Sequence, residues 1–239
     1  MSRSPATKKI WLIGGSLAII VFVLGLRLLV RPSSPPPLPP TPPSQFERFL
    51  TFRVVLQNLD PGIVEREQGV FEGTAKALRE NPDFFEGWMT LASIKKQMGD
   101  FPGAAEIWEH AGGMRPLNSV SFNNLGDLYA NFLNDYAKAE KNFRWAITNA
   151  VGEEKQQHYF ISLYELYRYR FKDDAQALAI LEEGAAANPW SRLLQMKAAQ
   201  FAAATGQRSK ALAYYLAALK LDPKNDALAE EYSRYRDQQ

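Results

Sequence analysis

Cysteine is absent from this 239-residue chain. Its absence excludes disulfide frameworks, thiolate metal sites, lipoprotein-type cysteine acylation and cysteine nucleophiles. Histidine occurs twice, at His110 and His158, and the two form no HExxH pair. A histidine metal site or proton relay therefore has little to draw on, and packing or solvation is the better reading of each. Acidic residues are missing from positions 1–44, which hold Arg3, Lys8, Lys9, Arg27 and Arg31. That leaves 23 of the 28 Lys/Arg to face all 26 Asp/Glu in the rest of the chain, which is mildly acidic although the whole carries +2. Such a balance argues against nucleic acid as a partner. With 46% hydrophobic and 23% charged residues, the chain is apolar enough to fold.

Residues 10–30, IWLIGGSLAIIVFVLGLRLLV, are apolar apart from Arg27. At about 1.5 Å per residue such a helix spans roughly 32 Å, enough for a bilayer core of roughly 30 Å. Arg27 lies near the boundary, where it can snorkel, and Trp11 suits the opposite interface. The stretch ends in LLVRP without a small-x-small cleavage site, which predicts an uncleaved anchor. Arg3, Lys8 and Lys9 precede it, so residues 1–9 are expected in the cytoplasm and the rest outside. Residues 31–44 carry eight prolines between Pro32 and Pro43. They predict a stiff polyproline II stem of about 40 Å at 3.1 Å per residue.

Beyond the stem the sequence repeats with a period near 34. In residues 85–118, Trp88, Leu91, Ala92, Gly99, Phe101, Ala104, Trp108, Ala111 and Pro116 fall at positions 4, 7, 8, 15, 17, 20, 24, 27 and 32 of that frame. This resembles the tetratricopeptide repeat (TPR), two antiparallel helices with small residues where they cross. Lys95 replaces the usual aromatic residue at position 11. The next unit offers Phe122, Leu125, Gly126 and Tyr129, then, after a one-residue insertion near Leu133, Tyr136, Ala139, Phe143 and Ala146. A third carries Phe160, Leu163, Tyr164, Tyr167, Ala177, Leu181, Gly184 and Pro189, again with one insertion. The fourth, 192–225, has Gly206, Ala211, Tyr215, Ala218 and Pro223, with Gln195 at position 4.

The expected fold is therefore all-α: a TPR-type α-solenoid of about four repeats over 85–225. Residues 226–239 are expected to cap it, with Asp226 as N-cap and Leu228, Tyr232 and Tyr235 on one face. Residues 45–82 are expected to supply two membrane-proximal helices, 45–59 and 62–80, as a cap or a degenerate repeat.

Chemistry is not favoured. Glu153-Glu154, Asp173-Asp174, Glu182-Glu183 and Glu230-Glu231 read as solvated charge rather than a glycosidase pair. Gly14-Gly15-Ser16 lies within the anchor and cannot cradle phosphate. The Tyr164–Phe171 stretch mixes aromatic and basic residues, but its tyrosines suit repeat positions better than base stacking. No catalytic residue, metal or cofactor is expected.

The resemblance implies a binding role, with the first helix of each repeat lining a concave groove. Carried over, its ligand-facing positions give Met89, Thr90, Ser93, Lys96 and Gln97 in repeat 1. They give Asn123, Asn124, Asp127 and Asn131 in repeat 2, Glu165 and Arg168 in repeat 3, and Met196, Lys197 and Gln200 in repeat 4. Asn123 and Asn124 stand out because an amide both donates to and accepts from a peptide backbone. The two-carboxylate clamp of some relatives is not reproduced: Met89 and Ser93 stand in place of its first lysine and asparagine, and only Asn124 matches. The function expected is a noncatalytic scaffold or adaptor binding a protein or peptide partner, the alternative being a self-associating structural subunit of a membrane or envelope complex.

Overall fold

Proline, glycine and short polar residues punctuate the chain, and helices form between them. The computed structural model describes residues 43–237. The expected anchor 10–30 and nearly all of the stem 31–44 lie outside the described residues. Among those described, no helix is long and apolar enough to cross a membrane.

The elements are α1 (Pro43–Phe49), α2 (Pro61–Glu80), α3 (Phe85–Gln97), α4 (Phe101–Met114), α5 (Ser119–Leu128), α6 (Tyr136–Asn149), α7 (Gln156–Glu165), α8 (Asp174–Ala187), α9 (Arg192–Ala204), α10 (Arg208–Leu221) and α11 (Asp226–Asp237). From α2 onward each helix packs against the next. The pairs α3–α4, α5–α6, α7–α8 and α9–α10 are the repeats, with α11 closing the C-terminal end.

Several starts are set by side-chain caps. Asp100, Asn118, Asp135, Asp173 and Ser191 each accept the backbone N–H three residues on, at the heads of α4, α5, α6, α8 and α9. Such caps contribute about 1 kcal/mol apiece. The cap of α11 is Asn225, whose Oδ1 accepts Leu228 N–H at 3.0 Å. The sequence pointed one residue later, to Asp226, which instead opens the helix as a first-turn acid.

The core is the apolar stripe of every helix. Trp88, Phe122 and Phe160 fill the knob at position 4 and are buried. Gln195 takes the same place in the fourth repeat, with its amide donating to the Ala185 carbonyl at 3.4 Å. Ala104, Ala111, Ala139, Ala146, Ala177, Ala211 and Ala218 have no exposed surface, and their small side chains let neighbouring helices approach closely. Gly126 is required for a similar reason. A Cβ there would stand 2.5 Å from the Phe143 ring. Tyrosine hydroxyls then tie helices together: Tyr129 to Glu109 (2.6 Å), Tyr167 to Glu140 (2.7 Å) and Tyr215 to Glu231 (2.7 Å).

The inserted residues take a definite form. In repeats 2 and 3 the first helix ends in a π-helical segment, Tyr129–Leu133 and Leu166–Phe171. One extra residue per turn is absorbed by widening the helix, as π-bulges do. Each segment then stops at a left-handed residue, Asn134 (φ 56°) or Lys172 (φ 56°). Repeats 1 and 4, without the insertion, turn at Gly99 (φ 85°) and Gly206 (φ 74°).

The N-terminal region departs from the expectation of a helix over 45–59. Helix α1 stops at Phe49, and residues 51–60 run without helix to Asp60, which caps α2 through Gly62 and Ile63 N–H. Pro61 disfavours helical backbone at residue 60 and suits the first helical position. This strap has its own fixings. Val55 and Leu56 N–H both donate to the Met98 carbonyl, an otherwise orphaned acceptor at the end of α3. Phe46 and Phe49 stand edge-on to Trp88, and Phe52 contacts Phe71.

Candidate functional site

Hydrogen bonds within and between consecutive repeats bring three of the sequence-selected residues, Lys96, Asp127 and Asn131, together. Asn124 and Asp127 on α5 and Asn131 in the π segment that follows recur at helical spacing, while Phe122, Leu125 and Leu128 are buried. Asp127 is engaged on both oxygens. Lys96 of α3 donates to Oδ2, and Asn131 donates to Oδ1 at 2.8 Å. The Asn131 carbonyl oxygen in turn accepts from Arg170 at 2.9 Å. A chain Lys96–Asp127–Asn131–Arg170 thus crosses three consecutive repeats. Lys96 Nζ also lies 4.9 Å from the centre of the Phe132 ring, which stacks on Phe101.

This chain borders a cavity of about 270 Å³ between repeats 2 and 3. Asp127 and Asn131 line one wall, and Ser162, Glu165, Tyr169 and Arg170 the other. Ala130, Phe143 and Leu166 supply its apolar surface. Both π segments contribute lining residues, so the insertions shape it directly.

Other selected residues are placed differently. Ser93 turns its hydroxyl to the Met89 carbonyl of its own helix, and Thr90 does the same with Glu86. Gln97 is exposed, while Asn124, Met89, Met196 and Lys197 are half-buried on the first helices of their repeats. Gln200 reaches Glu231 of α11 at 3.5 Å. Asn123 Oδ1 is out of solvent and has no hydrogen-bond partner among the described residues, so a ligand cannot reach that oxygen without rearrangement. Arg168 does not line the cavity. It pairs with Asp174 at 3.0 Å and lies over the Phe201 ring of repeat 4 at 4.5 Å.

Sequence reasoning missed Tyr169, Arg170 and Ser162. Ser162 stands where Asn124 stands in repeat 2, so the repeat frame alone pointed to it; for Tyr169 and Arg170 the signal was the one-residue insertion of repeat 3. Because the extra residue falls before them, Tyr169 and Arg170 take the places at the cavity that an uninterrupted helix would give to residues one earlier.

Titration features elsewhere are structural. Burial, then the bond to Glu109, pushes the Tyr129 hydroxyl up, and Tyr215 rises by burial and Glu231. His110 is lowered by burial between Phe49 and Trp88. His158 is exposed. Among the described residues, no group of three or more His, Asp or Glu is arranged to hold a metal ion.

Comparison with known proteins agrees with this architecture. Residues 192–225 match the family described as Tetratricopeptide repeat. No curated protein matches the chain. Among solved structures, Pseudomonas aeruginosa PilF superposes with a TM-score of 0.53 at 18% identity, over 80% of this chain and 86% of that one. MamA superposes with a TM-score of 0.50 at 20% identity, over 71% of this chain and 98% of the other. The described part of the chain is an all-α helical repeat of the TPR type.

Proposed function

We propose that this chain is a noncatalytic protein–protein interaction scaffold that binds an extended peptide or protein segment along the first helices of its repeats. In this reading residues 10–30 anchor it in a membrane, with residues 1–9 cytoplasmic and the array outside. The observation that carries the binding role is the polar chain Lys96–Asp127–Asn131–Arg170 leading into the cavity between repeats 2 and 3. Residual donors and acceptors on these fixed side chains can meet a peptide backbone at little ordering cost, since their rotamers are already held. The contact residues proposed are Ser93, Lys96, Gln97, Asn124, Asp127, Asn131 and Glu165, now joined by Tyr169 and Arg170. Asn123 and Arg168 act behind that surface.

The test is capture of partners by the tagged full chain from its native membranes, beside an Asn124→Ala/Asp127→Ala/Asn131→Ala variant whose helicity is checked by circular dichroism. Loss of one defined partner from the variant supports the reading. Identical capture by both proteins removes the groove from it.

A further inference from the structure

We infer that the cavity between the two π segments receives a lysine or arginine side chain of the bound segment, which specifies the partner of the groove proposed above and rests on that reading. The lining residues carry two carboxylates, Asp127 and Glu165, against one guanidinium, Arg170. Their states differ. Asp127 is occupied on both oxygens by Lys96 and Asn131, and Arg170 is drawn to the repeat 2 wall by Asn131. Glu165 is exposed and has no hydrogen-bond or ion-pair partner among the described residues.

With Asp127 neutralised by Lys96 and Arg170 already donating to Asn131, the group left unmatched is the Glu165 carboxylate, which repels an anion. An apolar side chain would strip water from Glu165 with nothing in exchange, which is costly for a charge. A cation supplies the missing partner. The apolar surface of Ala130, Phe143 and Leu166 suits the methylene stem of a long basic side chain, whose head stays polar. Tyr169, 63% exposed and stacked on no other ring among the described residues, offers a face to the same cation. A cavity of about 270 Å³ has room for one such side chain with some water.

The probe is a random 12-residue phage-displayed peptide library, selected on the detergent-purified full chain, on Glu165→Gln and on Glu165→Arg. Selected peptides are then synthesised with a fluorophore and measured by anisotropy, alongside versions in which each Lys or Arg becomes Gln. The expected result is a basic residue enriched at one peptide position. Its replacement and Glu165→Gln should each weaken binding by about tenfold, and their effects should not add, as expected for one charge-assisted contact. Glu165→Arg should reverse the preference toward acidic residues. If peptides bind, are lost from Asn124→Ala/Asp127→Ala/Asn131→Ala, and show no basic preference, the inference fails and the groove stands. If none is enriched, or binding ignores every groove variant, both fail.

Discussion

Lys95 Nζ stands 2.7 Å from Asp100 Oδ2 and 2.8 Å from the Thr51 carbonyl oxygen, in a side chain only 3% exposed. Asp100 meanwhile caps α4 through Gly103 N–H. One lysine thus joins the end of the first helix of repeat 1, the start of the second and the strap that precedes α2. The departure from the repeat pattern at position 11 has a physical cause: the ammonium serves the Thr51 carbonyl and Asp100 together, where a tyrosine has a single O–H to donate.

Lys95→Met should therefore destabilise the protein by about 2–3 kcal/mol, less than for a wholly buried pair because Asp100 keeps its backbone partner. The strap should loosen as well. Urea unfolding measures the first effect, and tryptic cleavage after Arg53 in native buffer measures the second. Unchanged cleavage would mean that the strap is held without Lys95.

Lys172 closes the second π segment with φ 56°, a conformation that costs a side chain bearing Cβ roughly 1–2 kcal/mol. It is exposed and makes no side-chain hydrogen bond. Lys172→Gly should raise stability by about 0.5–1 kcal/mol after glycine's greater unfolded-state entropy is counted. Asn134→Gly should gain less, because asparagine tolerates this region better. Scanning calorimetry of the two variants gives the comparison, and a fall in midpoint for Lys172→Gly would contradict it.

His110 connects stability to pH. Its ring lies 4.8 Å from Trp88 and 5.7 Å from Phe49, and burial lowers its pKa from 6.5. The unfolded chain then binds the proton more readily than the folded one. The contribution is complete above pH 6.5 and declines as pH falls from there toward the lowered folded value. The midpoint difference between wild type and His110→Phe should shift against wild type between pH 8 and pH 5. A pH-independent difference would show that the burial of His110 has no bearing on acid sensitivity.

Much of the helix order was legible because the 34-residue frame is written in small residues, Ala92, Ala104 and Ala111 among them, that have one use at a helix crossing. The strap was not. Residues 45–59 contain enough apolar side chains to suggest a helix, and only the tertiary contacts to Met98 and Lys95 select the irregular path. The site was half legible. Asp127, Asn131 and Glu165 follow from the repeat frame. Tyr169 and Arg170 required knowing where along the helix the extra residue sits, and Asn123 required knowing that its carbonyl oxygen is enclosed.

The central claim is that partners bind along the first helices of the repeats, around the cavity between repeats 2 and 3. Site-specific photo-crosslinking tests it most directly, with a benzoylphenylalanine placed singly at Gln97, Asn131 or Glu165 and, as controls, at exposed Glu183 or Lys141 on second helices. The account predicts a common adduct from the three first-helix positions and none from the controls. Adducts from Glu183 or Lys141 alone would contradict it and move the binding surface to the second helices.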